Sequence, residues 1–156
     1  MNKYEYDILI VGTGIAGLST AIKLSEKDMK VGIITRDKKP DATNTAWAQG
    51  GIIYSKQDWD DLEVLHKDIQ KASAFTSNDN AIEVLKSRSA EVIEEVLLNK
   101  ANTEFNRDEN GKLCFTKEAA HSTERIIYRG DYTGKSIQIS LLNYLYNHTK
   151  VDFLME

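Results

Sequence analysis

Tyr6-Asp7-Ile8-Leu9-Ile10-Val11-Gly12-Thr13-Gly14-Ile15-Ala16-Gly17 is the stretch that decides the fold. Its first half is a β-branched, nearly all-apolar run, which suits a strand covered on both faces at the centre of a parallel sheet. Its second half is a Gly-x-Gly-x-x-Gly turn. A helical pattern follows, with Ile15, Leu18, Ile22 and Leu24 near one face and Lys23, Glu26 and Lys27 near the other. Residues 30–35 then read as a second strand. Strand, glycine turn, helix and strand make a βαβ unit, whose crossover is expected to be right-handed. Glycines cluster in many turns, so the pattern is weak evidence alone. Here it sits directly after a buried strand and opens a helix, where a diphosphate is held. Gly12 supplies the tight turn, Gly14 lets the backbone approach the ligand, and Gly17 lets the helix pack on the sheet. The free amides and the positive end of the helix are expected to meet the anionic phosphates.

The identity of the dinucleotide stays open at this point. An acidic residue usually closes the second strand and accepts the ribose hydroxyls, but the strand ends Ile34-Thr35-Arg36, and Asp37 comes late. Arg36 suits a 2′-phosphate, which keeps a nicotinamide reading alive.

Working outward, residues 36–54 read as a long loop holding the single proline, Pro40, and the pair Gly50-Gly51. A loop of that length without periodicity is usually functional or disordered. Helices are expected over 58–74 (Leu62, Leu65 and Ile69 inward) and, after the cap residues Thr76-Ser77-Asn78, along a stretch burying Ile82, Leu85, Val92, Ile93, Val96 and Leu97. Two short strands around Phe105 and Cys114 are expected to form a hairpin across Asp108-Glu109-Asn110-Gly111. Residues 117–130 read as irregular and polar. A helix over 134–146, with Ile137, Leu141, Leu142 and Leu145 inward, precedes a last strand at 151–155. The predicted class is α/β: a Rossmann-like domain with a central parallel sheet and a small β-hairpin, incomplete at its C-terminal end.

Composition narrows the function. The 156 residues carry 20 basic against 24 acidic side chains, a net charge of -4, which gives no general attraction to nucleic acid. No apolar run approaches the ~18 residues that span a bilayer, and the strand-like run begins too early for a signal peptide. A cytoplasmic chain with no membrane or nucleic-acid partner is expected. The lone Cys114 excludes an internal disulfide and a multi-cysteine zinc site. It reads as an inert core residue. No metal is expected: Asp60-Asp61 reads as a helix-start or surface feature. His66 and His148 read as solvated, and Thr133-Gly134 as the cap of the last helix.

Thr43-Asn44-Thr45-Ala46-Trp47-Ala48-Gln49-Gly50-Gly51 resembles the flavin-contacting loop of the succinate dehydrogenase and fumarate reductase flavoprotein family, most of all its L-aspartate oxidases. A second match is Phe115-Thr116-Lys117-Glu118-Ala119-Ala120-His121-Ser122, followed by Arg125-Ile126 and Asp131-Tyr132-Thr133-Gly134. With the glycine loop, these motifs run through nearly the whole chain in the family's order. The resemblance implies that residues 1–156 are the N-terminal part of an FAD-binding domain, without the capping and C-terminal helical domains. It implies FAD held by Gly12 to Gly17, with Thr13, Gly14, Ile15 and Ala16 lining its diphosphate, by Arg36 in place of a family lysine, and by Asn44 to Gly51. Asn44 stands where the membrane-associated succinate dehydrogenases carry the histidine joined to FAD, so the resemblance implies non-covalent flavin. Glu118 stands where the aspartate oxidases place the glutamate that orients substrate. A carboxylate offers the α-ammonium of aspartate a charge-assisted hydrogen bond that succinate lacks. Ala119-Ala120 replaces two family glycines, and a positive φ there would strain alanine.

The activity implied is oxidation of L-aspartate to iminoaspartate, with hydride leaving Cα for the flavin while the amine loses a proton, and oxygen or fumarate reoxidising the flavin. The product feeds quinolinate formation with quinolinate synthase, on the way to NAD. The family's catalytic arginine has no counterpart in these residues, so the isolated chain is expected to be inactive. His121 suits either substrate contact or a hydrogen bond within its loop. Arg125 suits a substrate carboxylate or, more simply, a structural salt bridge; Trp47 suits flavin stacking or a hydrophobic floor. A flavoprotein subunit of a succinate or fumarate complex and a non-catalytic dinucleotide-binding module are the alternative classes.

Overall fold

The computed structural model describes residues 4–118 and 120–155, with His148 described by its backbone alone. The opening βαβ unit forms as the pattern dictates: β1 (Ile8–Val11), α1 (Ile15–Ser25) and β2 (Val31–Ile34). β1 pairs parallel to β2, with Ile10 opposite Ile33. The final strand, β6 (Asp152–Leu154), adds parallel to the other side of β2, giving the order β1-β2-β6.

The sheet is covered on one face. Ile10, Ile33 and Phe153 pack with Leu18 and Ile22 of α1 and with Ile137, Leu141 and Leu145 of α5 (Thr133–His148). Leu9 and Val11, which alternate to the opposite face, are exposed. The expectation that β1 is buried on both faces is therefore corrected. Both helices lie on the same side of the sheet, and β1 occupies its edge.

The loop expected over 36–54 contains a single helical turn, α2 (Asn44–Trp47), and β3 (Ile52–Ile53). α3 (Leu62–Ala72) starts at Asp61, whose carboxylate accepts from the Glu63 amide. α4 (Asp79–Val92) starts at Asn78, which accepts from the amides of Asn80 and Ala81. The helix then continues as a π-helix over Ile93–Lys100. Of the residues expected on its inner face, Ile82, Ile93, Val96 and Leu97 are buried, but Leu85 and Val92 are exposed. The wider π winding adds residues per turn and swings a new apolar face inward at Ile93.

The hairpin is realised only at its turn. Asp108 donates its amide to the Lys112 carbonyl at 2.9 Å, Gly111 adopts φ +79°, and one bridge joins Arg107 to Leu113. Phe115 leaves that partner to join a second sheet of order β3-β5-β4, in which β5 (Ile126–Ile127) pairs antiparallel with β3 and with β4 (Phe115–Thr116). β5 lies inside the stretch expected to be irregular; two residues are too few to show a period. This second sheet carries the loop with Glu118 to the loop with Gly50 and Gly51.

Candidate functional site

The glycine turn is built by close contact. Gly12 adopts φ +105°, and a Cβ on Gly17 would lie 2.0 Å from the Gly12 carbonyl oxygen. α1 therefore starts directly over the end of β1. Gly14 caps α1 without a side-chain hydrogen bond, and no acidic residue occupies the first turn. Nothing there opposes an anion at the positive end of the helix. Thr13 is buried, and its Oγ1 has no hydrogen-bond partner among the described residues. An orphaned buried hydroxyl is costly unless a ligand or water completes it.

An open groove of ≈ 870 Å³ lies at the C-terminal ends of the parallel strands, between Gly12-Thr13-Gly14, Thr35-Arg36 and Thr43-Asn44-Thr45. This is where parallel α/β sheets bind ligands. Arg36 extends freely into solvent beside it, its side chain 94% exposed, with Asp37 at 3.5 Å. Ala16 is exposed at the start of α1. One expected phosphate donor is already engaged: the Ile15 amide donates to Thr45 Oγ1 at 3.0 Å. The glycine loop and the second loop are thus one structure, and Thr45 covers the first turn of α1.

The second loop is held from behind. Thr43 caps α2 by accepting from the Ala46 amide. The Gly134 amide donates to the Ala48 carbonyl at 2.9 Å, and a Cβ on Gly134 would lie 1.9 Å from the Thr45 carbonyl oxygen. Thr133-Gly134 is therefore no helix cap. Tyr132 precedes the helix without a side-chain bond, Thr133 Oγ1 accepts from the Arg129 amide, and Gly134 permits the close approach to α2. Trp47 is 81% exposed, which removes the hydrophobic-floor reading. Asn44, Gln49 and Gly50 are exposed beside it, and Ala46 is half-buried.

Glu118 reaches the same loop. Its Oε1 accepts from the Gly51 amide at 3.2 Å, and a Cβ on Gly50 would lie 2.9 Å from that oxygen. The carboxylate is exposed and forms no ion pair among the described residues. It lies over the Gly50-Gly51 backbone, open to an incoming cation. The expectation about strain at Ala119 lies outside the described residues.

Arg125 is fully buried. Its Nε and Nη2 donate to Asp60 at 2.7 and 3.1 Å, and its Nη1 donates to Asp68 at 2.6 Å. The buried guanidinium is engaged by Asp60 and Asp68 and does not face a substrate carboxylate. The surface reading of Asp60 is corrected: its carboxylate is buried against Arg125 and Ser55, while Asp61 alone caps the helix. Asp68 also accepts from the amide and hydroxyl of Ser122. The triad thereby anchors the loop that carries His121. His121 Nδ1 lies 3.3 Å from Arg125 Nη1 and its amide donates to the Glu118 carbonyl. Arginine only donates, so Nδ1 is the acceptor in this contact.

Burial is the largest influence on Asp68 and would raise its carboxyl. The bonds from Ser122 and Arg125 together outweigh it and hold the group down to about 2. Asp60 is lowered too, burial again opposing the bonds from Arg125 and Ser55. A carboxyl depressed on folding stabilises the fold above its unfolded value and loses that contribution as pH falls through its folded value. For Asp68 this amounts to about 2 kcal/mol, lost between about pH 4 and pH 2. The gap in urea midpoint between the native sequence and Asp68→Asn is therefore expected to narrow on acidification. A gap constant down to pH 2 would remove Asp68 from the acid transition.

His66 is not solvated: its ring nitrogens lie 3.1 Å from Asp79 and Glu83, joining α3 to α4. The side chain of His148 lies outside the described residues. Cys114 is half-buried and lies just outside β4. The sequence reading missed Asp68 and Gln138. Each is a polar residue on the inward apolar stripe of its helix, beside Leu65 and Ile69 or Leu141 and Leu142, and that misplacement was the available signal.

The profile of the family described as FAD binding domain matches residues 7–156. The chain belongs to this family. It is 38% identical over 136 residues to an L-aspartate oxidase of Clostridium perfringens, covering 87% of this chain and 30% of that protein. It is 33% identical over 148 residues to the L-aspartate oxidase of Halobacterium salinarum, covering 95% and 28%. The chain thus spans about 30% of the length of these curated relatives. Among solved structures, a quinol-fumarate reductase with menaquinol superposes with a TM-score of 0.88 at 22% identity, covering 100% of this chain and 27% of that one. The Mycobacterium smegmatis Sdh1 complex gives 0.87 at 21%, covering 99% and 28%. These likenesses show the fold: an FAD-binding domain with a parallel sheet and a small antiparallel one. Among the described residues no helix is long and apolar enough to cross a membrane.

Proposed function

We propose that this chain is the N-terminal part of the FAD-binding domain of an L-aspartate oxidase, acting in the cytoplasm. In this reading the capping and C-terminal helical domains lie in further sequence. The observation that carries it is the Glu118 carboxylate, open over the Gly50-Gly51 backbone with no cationic partner among the described residues. The orphaned Thr13 hydroxyl and the glycine turn fit the diphosphate of FAD, and Arg36 and Asn44 border the same groove. FAD, when bound, supplies the acceptor for the hydride of the aspartate Cα. Gly12 to Gly17 hold its diphosphate, and residues Asn44 to Gly51 run along its flavin. Asn44 has no nucleophilic ring nitrogen, so the cofactor is held without a covalent link. Glu118 orients the α-ammonium by a charge-assisted hydrogen bond, and His121 lies on the same loop for the substrate. The product is iminoaspartate, with oxygen or fumarate as final acceptor; it supplies quinolinate synthase and so NAD biosynthesis.

The test uses the protein expressed from its native reading frame and loaded with FAD. Aspartate oxidation with peroxide release is expected, and Glu118→Gln is expected to lower kcat/KM for aspartate about 10–100-fold, the loss of one charge-assisted bond worth ~1.5–3 kcal/mol, with FAD retained. An unchanged kcat/KM would end the role of Glu118. Turnover of succinate in preference to aspartate, with flavin kept on acid-precipitated protein, would favour a succinate or fumarate complex instead. The 156-residue chain alone is expected to show no turnover.

A further inference from the structure

Gln138 lies on α5, 125 residues from the glycine loop, yet its side chain is fully buried and its amide bonds to segments on both sides of the dinucleotide groove. Its Nε2 donates to the Thr13 carbonyl at 2.8 Å and to the Pro40 carbonyl at 3.0 Å. Its Oε1 accepts from Thr43 Oγ1 at 3.0 Å. Two carbonyls on one side and a hydroxyl on the other leave one orientation of the amide.

The three partners belong to two segments, the phosphate turn and the loop that leads from Arg36 into α2. Thr13 lies in the phosphate turn. Pro40 lies in the connection that follows Arg36. Thr43 caps α2, accepting from the Ala46 amide with the same oxygen that donates to Gln138. Those segments form the walls of the groove, and no regular ladder joins them to one another. Loops without a ladder keep their spacing only through such side-chain bonds. A buried network in which every member is satisfied is rigid, whereas a half-satisfied one leaves carbonyls stranded.

We infer that Gln138 is a positioning residue for the cofactor groove, setting the distance between the phosphate turn and the α2 loop without touching the ligand. The inference rests on the FAD reading above and adds a specific cause of affinity to it.

The experiment measures the FAD and ADP dissociation constants of the protein expressed from its native reading frame, and the FAD-induced rise in Tm. Gln138→Met keeps the length and volume but makes none of the three bonds. It is expected to weaken FAD and ADP binding alike, at least tenfold, and to shrink the FAD-induced rise in Tm. Gln138→Glu keeps the acceptor but, when ionised, offers no donor to the two carbonyls, and is expected to bind at least as poorly. Thr43→Ser, which retains the hydroxyl, is expected to bind like the native protein, and Thr43→Val to bind more weakly. The Thr43 pair carries the test should Gln138→Met not fold. A residue that only fills space would lower the Tm of the cofactor-free protein and leave FAD and ADP affinity in place. That result, or equal affinity in Thr43→Ser and Thr43→Val, overturns the positioning role while the FAD reading stands. Failure of the native protein to bind FAD overturns both.

Discussion

Arg125→Met is expected to destabilise the protein by about 3–5 kcal/mol, the loss seen when one partner of a buried ion pair is removed. Asp60 and Asp68 expose only 4% and 7% of their side chains, so neither can turn to water when the guanidinium is gone. Methionine fills the volume of the stem but supplies no donor, leaving two carboxylates facing each other across an apolar gap. Ser55, Thr123 and Ser122 would retain bonds to them, yet all three are neutral. Urea unfolding monitored by circular dichroism checks the value, and a loss under about 1 kcal/mol would show that the carboxylates rehydrate or bind protons. Adding Asp60→Asn and Asp68→Asn to Arg125→Met is expected to recover part of the stability, because neutral amides need no counter-charge. The same variant separates structure from chemistry. Arg125 holds Ser122 through Asp68, and the neighbouring His121 amide bonds to the Glu118 carbonyl, so cofactor-loaded protein that stays folded is expected to lose substrate affinity through misplacement of Glu118.

Gly134→Ala is expected to disrupt the groove more than any exposed substitution. The added methyl would stand 1.9 Å from the Thr45 carbonyl oxygen and 2.7 Å from that of Ala48. Neither is the end of a flexible side chain; one belongs to the backbone of α2 and the other to Ala48, the residue that ends it. The start of α5 must therefore retreat and lose the Gly134–Ala48 hydrogen bond, or α2 must shift. Overpacking of this kind costs about 1–3 kcal/mol. A shift of α2 also pulls Thr45 Oγ1 away from the Ile15 amide, which it meets at 3.0 Å. FAD affinity is accordingly expected to fall at least tenfold, read by titration, alongside a lowered Tm. Normal affinity with a normal Tm would mean that the two helices have more slack than these distances allow.

Much of the fold is legible from local pattern. The apolar run, the glycine turn and the helical stripe after it specify a βαβ unit, because each signal spans only a few neighbouring residues. The inward residues of α5 were legible for the same reason, as were the cap at Asn78 and the turn at Gly111. The two-residue strands β3, β4 and β5 were not. Their pairing depends on which segments meet in space, and Phe115 chooses Ile127 over the near end of its own hairpin. The placement of Leu85 on the inner face failed because the helix changes its winding at Ile93, a consequence of packing against the core.

The site divides along the same line. Its residue types were visible in the motifs around Gly12, Asn44 and Glu118, and these relate the chain to aspartate oxidases without any coordinates. What the amino-acid order alone determined is membership of the FAD-binding family and the βαβ unit that opens the chain, because those depend on short-range turn chemistry and on signature residues. Only the tertiary structure decided that Arg125 is consumed by Asp60 and Asp68, 65 and 57 residues away, and that Gln138 braces Thr13 from 125 residues away. A buried polar group must find its partner wherever the folded chain brings one, and nothing in its immediate neighbours names that partner.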